Sequence, residues 1–226
     1  MFKEKTTLLL DMNSTFMFGE DRFEKGFNYA EYYQRIGGKL SGDIVNTSIE
    51  NILNYLSERY PNKEYEEKFP SIKDAIEATC IRPIPDEEIE KIINTFAFYE
   101  HGHIPKEYVA VLKKLQQKYK LAAVIDIWAP NDMWLATFKQ LGIDELFSAI
   151  SFSSDHGMVK PSPKPFKVVM SELNVIPKEC LMIGDSVRRD LGGAIAAGVD
   201  CILVNGATDD KALASFDNLI EVATVA

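Results

Sequence analysis

From residue 104 onward the chain alternates helical and strand patterns, and this alternation restricts its fold more than any other feature. IPKEYVAVLKKLQQKY sets Tyr108, Val111, Leu112, Leu115 and Tyr119 at helical spacing, and LAAVIDI comes next as an unbroken apolar strand. The cycle then repeats. NDMWLATFKQLGI reads as a helix closed by Gly142, FSAISF as a strand, PFKVVMSELNV as a helix on Phe166, Val169, Met170 and Leu173, and CLMIGD as a strand. LGGAIAAG is a short small-residue helix and CILVNG a last strand. Parallel neighbours cannot be joined by tight hairpins and need crossover segments, which the helices supply. The predicted class is therefore α/β, with a Rossmann-like, doubly wound parallel sheet.

The first strand, TTLLLD, has no immediate helical partner of this kind. Several helical segments succeed it instead: FNYAEYYQRI, then TSIENILNYLSERY with Ile49, Ile52, Leu53 and Leu56 on one face. SIKDAIEATC comes next, and PDEEIEKIINTFAFY carries Ile89, Ile92, Ile93 and Phe96 on one stripe. A helical insertion after the first strand is the simplest account. The expected organisation is a core domain from residues 1–17 and 104–226 and a helical domain from residues 18–103.

Composition narrows the partners. A net charge of -9 over 226 residues lacks the basic surface that a phosphate backbone requires, so nucleic acid is not an expected partner. MFKEKTTLLLD offers three leucines before a charge, too few for a secretory segment or a membrane span; no membrane association and a cytoplasmic location are expected. Cys80, Cys180 and Cys201 show no CxxC spacing and read as buried thiols.

Ligands of open parallel sheets bind beyond the carboxyl ends of the strands, where the strand order reverses. Asp11 stands at one such end and Asp185, in LMIGDSVRRD, at another, with Asp190 five residues further on. Carboxylates meeting at that rim repel one another, and a hard divalent cation relieves the repulsion; magnesium is the natural candidate. Lys160, in HGMVKPSP, comes after the FSAISF strand, where its ammonium can pair with a carboxylate and an anionic substrate at once.

In this order, DMNST, a second strand end, KPSPKPF and the complete GDSVRRD resemble the four motifs of the haloacid dehalogenase-like (HAD) hydrolase superfamily. The helical insertion is similar to that superfamily's cap domain, so the resemblance spans nearly the whole chain. It implies that Asp11 attacks phosphorus to form an aspartyl-phosphate, and that its carboxylate and the Asn13 backbone carbonyl ligate Mg2+. Asp185 would be a further ligand assisted by Asp190, and Lys160 would steady Asp11 and the phosphoryl oxygens. The implied substrate is a small phosphorylated metabolite.

Two positions depart from the superfamily pattern. The second acid of DxDxT, which moves the leaving-group and water protons, is Asn13 here, and an amide has no titratable proton at physiological pH. Aligning VIDIWAP on the second motif sets Ile125 at the phosphate-binding hydroxyl position, with Asp126 after it; the backbone amides beyond the strand remain as alternative phosphate donors. Three accounts stay open. The enzyme acts on good leaving groups; or a residue near the cap, with Arg22, His101 and His103 as candidates by position, takes over; or the protein binds a phosphorylated ligand or a partner without turnover. Dehalogenase and phosphonate-cleaving chemistries rank below phosphate hydrolysis. Trp128 should face the cleft, the FNYAEYY aromatics should pack between helices, and Arg188 and Arg189 read as solvated charges.

Overall fold

The computed structural model describes residues 2–80 and 83–226. In chain order the strands are β1 (Thr7–Leu10), β2 (Lys120–Ile125), β3 (Phe147–Phe152), β4 (Cys180–Gly184), β5 (Asp200–Leu203) and β6 (Ala214–Ser215). They form one parallel sheet in the order β3-β2-β1-β4-β5-β6. The first five strands coincide with the apolar runs of the sequence. The sixth is a two-residue edge inside DKALAS, a segment without the apolar run that marks a buried parallel strand.

Burial on both faces explains why those runs are continuous. Leu8, Leu10, Ala123, Ile125, Leu181, Ile183 and Ile202 enter one apolar core, whereas Leu9, Ala122, Val124, Met182, Cys201 and Leu203 enter another. Successive residues alternate between the two, as the strand repeat of two requires. Helices α5 (Lys106–Gln116), α6 (Asp132–Leu141) and α10 (Leu219–Val225) cover the first face through Leu112, Phe138 and Val222. On the opposite face α8 (Lys164–Leu173) and α9 (Gly192–Ala197) contribute Phe166, Val169 and Ala194. A single helical turn, α7 (Ser153–His156), continues directly from β3.

Between β1 and α5 lie α1 (Ala30–Arg35), α2 (Gly42–Arg59), α3 (Ile72–Thr79) and α4 (Asp86–Glu100). Their apolar stripes meet through Ile49, Ile52, Leu56, Ile72, Ile76, Ile92 and Phe96, all buried. A capping box starts α3: Ser71 Oγ accepts from the Asp74 amide at 3.1 Å and Asp74 Oδ2 accepts from the Ser71 amide at 2.8 Å. Tyr29 and Tyr33 are buried among these helices, the packing role expected for the FNYAEYY aromatics. Tyr33 donates to the Glu88 carboxylate, which also accepts the Lys39 amide at 3.0 Å.

The chain leaves the sheet and returns to it side by side. Phe18 and His103 exchange two backbone hydrogen bonds of 2.8 Å, an isolated antiparallel bridge. Gly102 permits it, because a Cβ there would lie 2.7 Å from the Phe18 carbonyl oxygen. Among the described residues, no helix is long and apolar enough to cross a membrane.

Candidate active site

The order of the sheet fixes where a ligand can sit. β1 is flanked by β2 and β4, so the direction of winding reverses between β1 and β4, and the crevice opens beyond their carboxyl ends. Asp11 directly follows β1, and its amide donates to the Ile183 carbonyl at 2.9 Å, which extends the strand pairing up to the acid. Asp185 directly follows β4.

Lys160 joins the two sides. Its Nζ lies 2.5 Å from Asp11 Oδ1 and 2.7 Å from Asp190 Oδ1. All three residues are buried. Asp190 is aimed back at the strand ends by a π turn over Val187–Leu191, and its other oxygen accepts the Ser186 amide at 2.9 Å. The glycine of GDSVRRD is required by this packing: a Cβ on Gly184 would stand 2.4 Å from the Asp190 carboxyl group.

One oxygen from each of Asp11, Asp185 and Asp190 lies within 4.8 Å of the others. An all-oxygen, all-carboxylate set of this kind suits a hard divalent cation such as magnesium. Burial, reinforced by the Asp190 charge, pushes the Asp185 carboxyl up to about 6. Burial also raises Asp11, against the pull of Lys160. For Lys160, burial by itself would favour the neutral amine, but Asp11, Asp190 and Asp126 hold it protonated, well above the ordinary lysine value. The site thus concentrates more negative charge than its one ammonium offsets.

The end of β2 differs from expectation. Ile125 is 1% exposed, belongs to the apolar core and does not line the cleft beyond the strand ends, because strand alternation turns its side chain into packing. Asp126 instead turns toward the site. Its carboxylate accepts the Lys160 amide at 3.1 Å and the Tyr60 hydroxyl at 2.9 Å, with Arg189 at 3.8 Å. The next amides along the chain are already engaged: Ile127 donates to Ser153 Oγ at 3.0 Å, Trp128 to Glu100 Oε1 at 2.6 Å and Ala129 to Glu100 Oε2 at 2.8 Å. These are donors the sequence left open for phosphate.

Glu100 lines the candidate site, although the sequence pattern did not single it out. It ends α4, is buried, and is pushed up to about 8 by burial, with the Asp21 charge adding and its two amide donors opposing. Its signal was available as an acid closing the apolar turn TFAFYE, where a surface helix would have faced solvent.

A cavity of about 300 Å³ lies between the strand ends and the helices. Phe23, Leu53, Tyr60 and Trp128 form apolar and aromatic walls, and Asn13, Asp21, Ser57, Glu100 and Asp126 supply polar ones. Trp128 meets Tyr60 edge-on at 5.4 Å between centroids. Its expected position beside the cleft is observed. Asn13 Oδ1 is shielded from solvent and has no hydrogen-bond partner.

Other candidates sit elsewhere. Arg22 does not reach the cavity; its guanidinium donates to the carbonyls of Phe98 and His101 and stacks 4.8 Å from the Phe98 ring centroid. His101 is half-buried, 3.0 Å from Thr137 Oγ1, does not line the cavity, and burial lowers it to about 4. Arg189 is not a solvated charge either: it donates to the Lys160 carbonyl at 3.0 Å and lies 3.1 Å over the Tyr60 ring. Arg188 donates to the Pro61 carbonyl at 2.5 Å. The thiols of Cys80, Cys180 and Cys201 are free, and the latter two are buried.

Residues 5–198 match the family model of haloacid dehalogenase-like hydrolases. The chain belongs to that family. Pyrophosphatase PpaX of Halalkalibacterium halodurans is 30% identical, over 73% of this chain and 80% of that protein. A HAD phosphatase from Thermococcus onnurineus shares the fold with a TM-score of 0.64 and 21% identity, covering 98% of this chain and 97% of its own. So does YfnB of Bacillus subtilis, solved bound to magnesium, with a TM-score of 0.61, 17% identity and 99% coverage of both chains.

Proposed function

We propose that this HAD hydrolase is a magnesium-dependent phosphatase of a small phosphorylated metabolite, acting in the cytoplasm, with Asp11 as the nucleophile. The observation that carries this reading is the Lys160 ammonium bridging Asp11 and Asp190 beside Asp185, at the strand ends where an anionic ligand meets the sheet. The pyrophosphatase relative and the magnesium-bound structural neighbour support it.

Asp11, Asp185 and Asp190, with the Asn13 backbone carbonyl, would hold magnesium, whose charge offsets that of the phosphoryl oxygens. Lys160 opposes the burial that raises Asp11 and orients its carboxyl group. An Asp11 carboxylate oxygen attacks phosphorus and the ester P–O bond breaks, leaving an aspartyl-phosphate. Asn13 has no proton to give, so the departing oxygen takes its proton from water. A water oxygen then attacks phosphorus, the bond to Asp11 breaks, and inorganic phosphate leaves. Without an acid at residue 13, substrates with good leaving groups turn over best.

A second reading is binding without turnover, favoured by the engagement of the Ile127, Trp128 and Ala129 amides within the protein. Phosphate release with magnesium from acetyl phosphate, p-nitrophenyl phosphate and sugar phosphates separates the two. The phosphatase reading requires turnover that Asp11→Asn abolishes. Ligand-induced stabilisation with no phosphate released by either the chain or Asn13→Asp would establish the binding protein instead.

A further inference from the structure

Lys160 lies between α7 and α8, outside any helix or strand, so no regular ladder takes its backbone N–H and C=O. Two side chains take them instead. The Asp126 carboxylate accepts the Lys160 amide at 3.1 Å, and Arg189 donates to the Lys160 carbonyl at 3.0 Å. Both belong to the core, one directly after β2 and the other in the turn over Val187–Leu191. The side chain that leaves this gripped backbone carries the ammonium between Asp11 and Asp190.

One residue of the helical domain holds both grips. Tyr60 closes α2, and Pro61, which has no N–H to give, ends the helix there. The Tyr60 hydroxyl donates to Asp126 Oδ2 at 2.9 Å, and its ring centroid lies 3.1 Å from the Arg189 guanidinium. Arg189 is itself 3.8 Å from Asp126 Oδ2, so hydroxyl, carboxylate and guanidinium close a set around the Lys160 backbone. The chain after Tyr60 then follows the lysine loop. Arg188 donates to the Pro61 carbonyl at 2.5 Å, the Val159 amide to the Glu66 carbonyl at 2.8 Å and the Phe69 amide to the Gly157 carbonyl at 2.7 Å. Gly157, at φ +68°, allows the last of these, because a Cβ there would stand 3.0 Å from the Phe69 carbonyl oxygen. Covering apolar surface would not require backbone bonds to the residues just before one lysine.

We propose that Tyr60 is a positioning residue for the Lys160 ammonium, acting through Asp126 and Arg189, so that the helical domain sets the geometry of the charge network at Asp11. The catalytic side of this role rests on the phosphatase reading, whereas the hold on Lys160 does not. Asp126 is almost fully buried, and without the Tyr60 donor its carboxylate is drawn toward Arg189 and away from the Lys160 amide. A tilt of that backbone is carried along the side chain to Nζ, where a misplacement of about 1 Å can cost about 10²-fold in rate.

The test uses Tyr60→Phe, which keeps the ring against Arg189 and removes the hydroxyl, Asp126→Asn and the double variant, each with native far-UV circular dichroism. Two readouts are taken: the 1H–15N spectrum of the lysine side-chain ammonium groups without substrate, and kcat and KM for acetyl phosphate with magnesium. In Tyr60→Phe the Lys160 ammonium resonance should shift or broaden while those of surface lysines stay in place. Its kcat should fall by about tenfold or more with KM nearly unchanged. The double variant should be no slower than Asp126→Asn, because both substitutions cut the same link. A merely structural role would lower stability and leave the ammonium resonance where it was, and that result overturns the proposal. So does an effect of Tyr60→Phe on KM alone, the mark of a side chain that touches substrate, and so do losses that multiply in the double variant. If the unaltered chain releases no phosphate, the phosphatase reading falls, and the Lys160 resonance in Tyr60→Phe still decides the positioning.

Discussion

Lys160 Nζ stands 2.5 Å from Asp11 Oδ1, with both side chains less than one-tenth exposed, and Asp190 takes the other side of the same ammonium at 2.7 Å. This triad is a buried charge network, and its members depend on one another. Lys160→Ala leaves two buried carboxylates facing each other, and breaking such a network costs about 3–5 kcal/mol. Urea unfolding of the variant should show that loss as a lower midpoint at unchanged slope.

Magnesium should partly substitute for what Lys160 provides. With Asp11, Asp185 and Asp190 each offering an oxygen within 4.8 Å, the proposed magnesium site exists in the folded chain alone, so the ion should bind the folded state in preference to the unfolded one. At a hundredfold excess over its Kd the expected stabilisation is about 2.7 kcal/mol, seen as a rise in Tm. Chelation should reverse the rise, and Asp185→Asn should reduce it. No shift at millimolar magnesium would count against the metal site.

Asn13→Asp restores a titratable group where the family carries one. For esters with poor leaving groups the expected gain in kcat is on the order of 10²-fold or more, whereas acetyl phosphate, which needs little protonation, should gain far less. Equal gains on both substrates would show that residue 13 acts through positioning.

Glu100 should make stability depend on pH. Its proton affinity is raised to about 8 in the folded chain, above the ordinary glutamate value of 4.5, so between those limits the folded state holds more protons than the unfolded one. Stability from this group is therefore full below about 4.5 and is lost as pH rises through about 8. Glu100→Gln, which keeps one acceptor oxygen for the Trp128 and Ala129 amides, should flatten the slope over that window. A variant with an unchanged slope would show that the two amide donors already hold Glu100 ionised.

Gly184→Ala tests the close approach at the end of β4. The added methyl would meet the Asp190 carboxyl group, so Asp190 must withdraw from Lys160 or the turn over Val187–Leu191 must shift. Loss of the magnesium-induced rise in Tm, with the far-UV circular dichroism preserved, is the expected outcome.

The parts of the fold that could be read from the sequence share a physical cause. Strands buried on both faces must be continuously apolar, so TTLLLD, LAAVIDI and CLMIGD announced themselves, and the acids that end two of them fell at the strand ends by the same logic. Lys160 was readable because few positions other than a loop after β3 could reach those ends. The hidden features depend on contacts between distant segments. Glu100 joins the end of α4 to the loop after β2, and Arg189 stacks on Tyr60 of α2's C-terminal boundary. No local pattern encodes either pairing. The alignment of VIDIWAP also assigned a site position to Ile125, whose side chain the strand alternation sends into the core.

The paired backbone bonds between Phe18 and His103 have a consequence for how such a chain diversifies. Both ends of the helical excursion pass through one doorway, so its length and contents can change without moving any strand of the sheet. The carboxylates and lysine stay with the strands, while Tyr60 and the other cavity-lining residues of the excursion can be exchanged as a block against a wall that Asn13, Asp126 and Trp128 hold fixed.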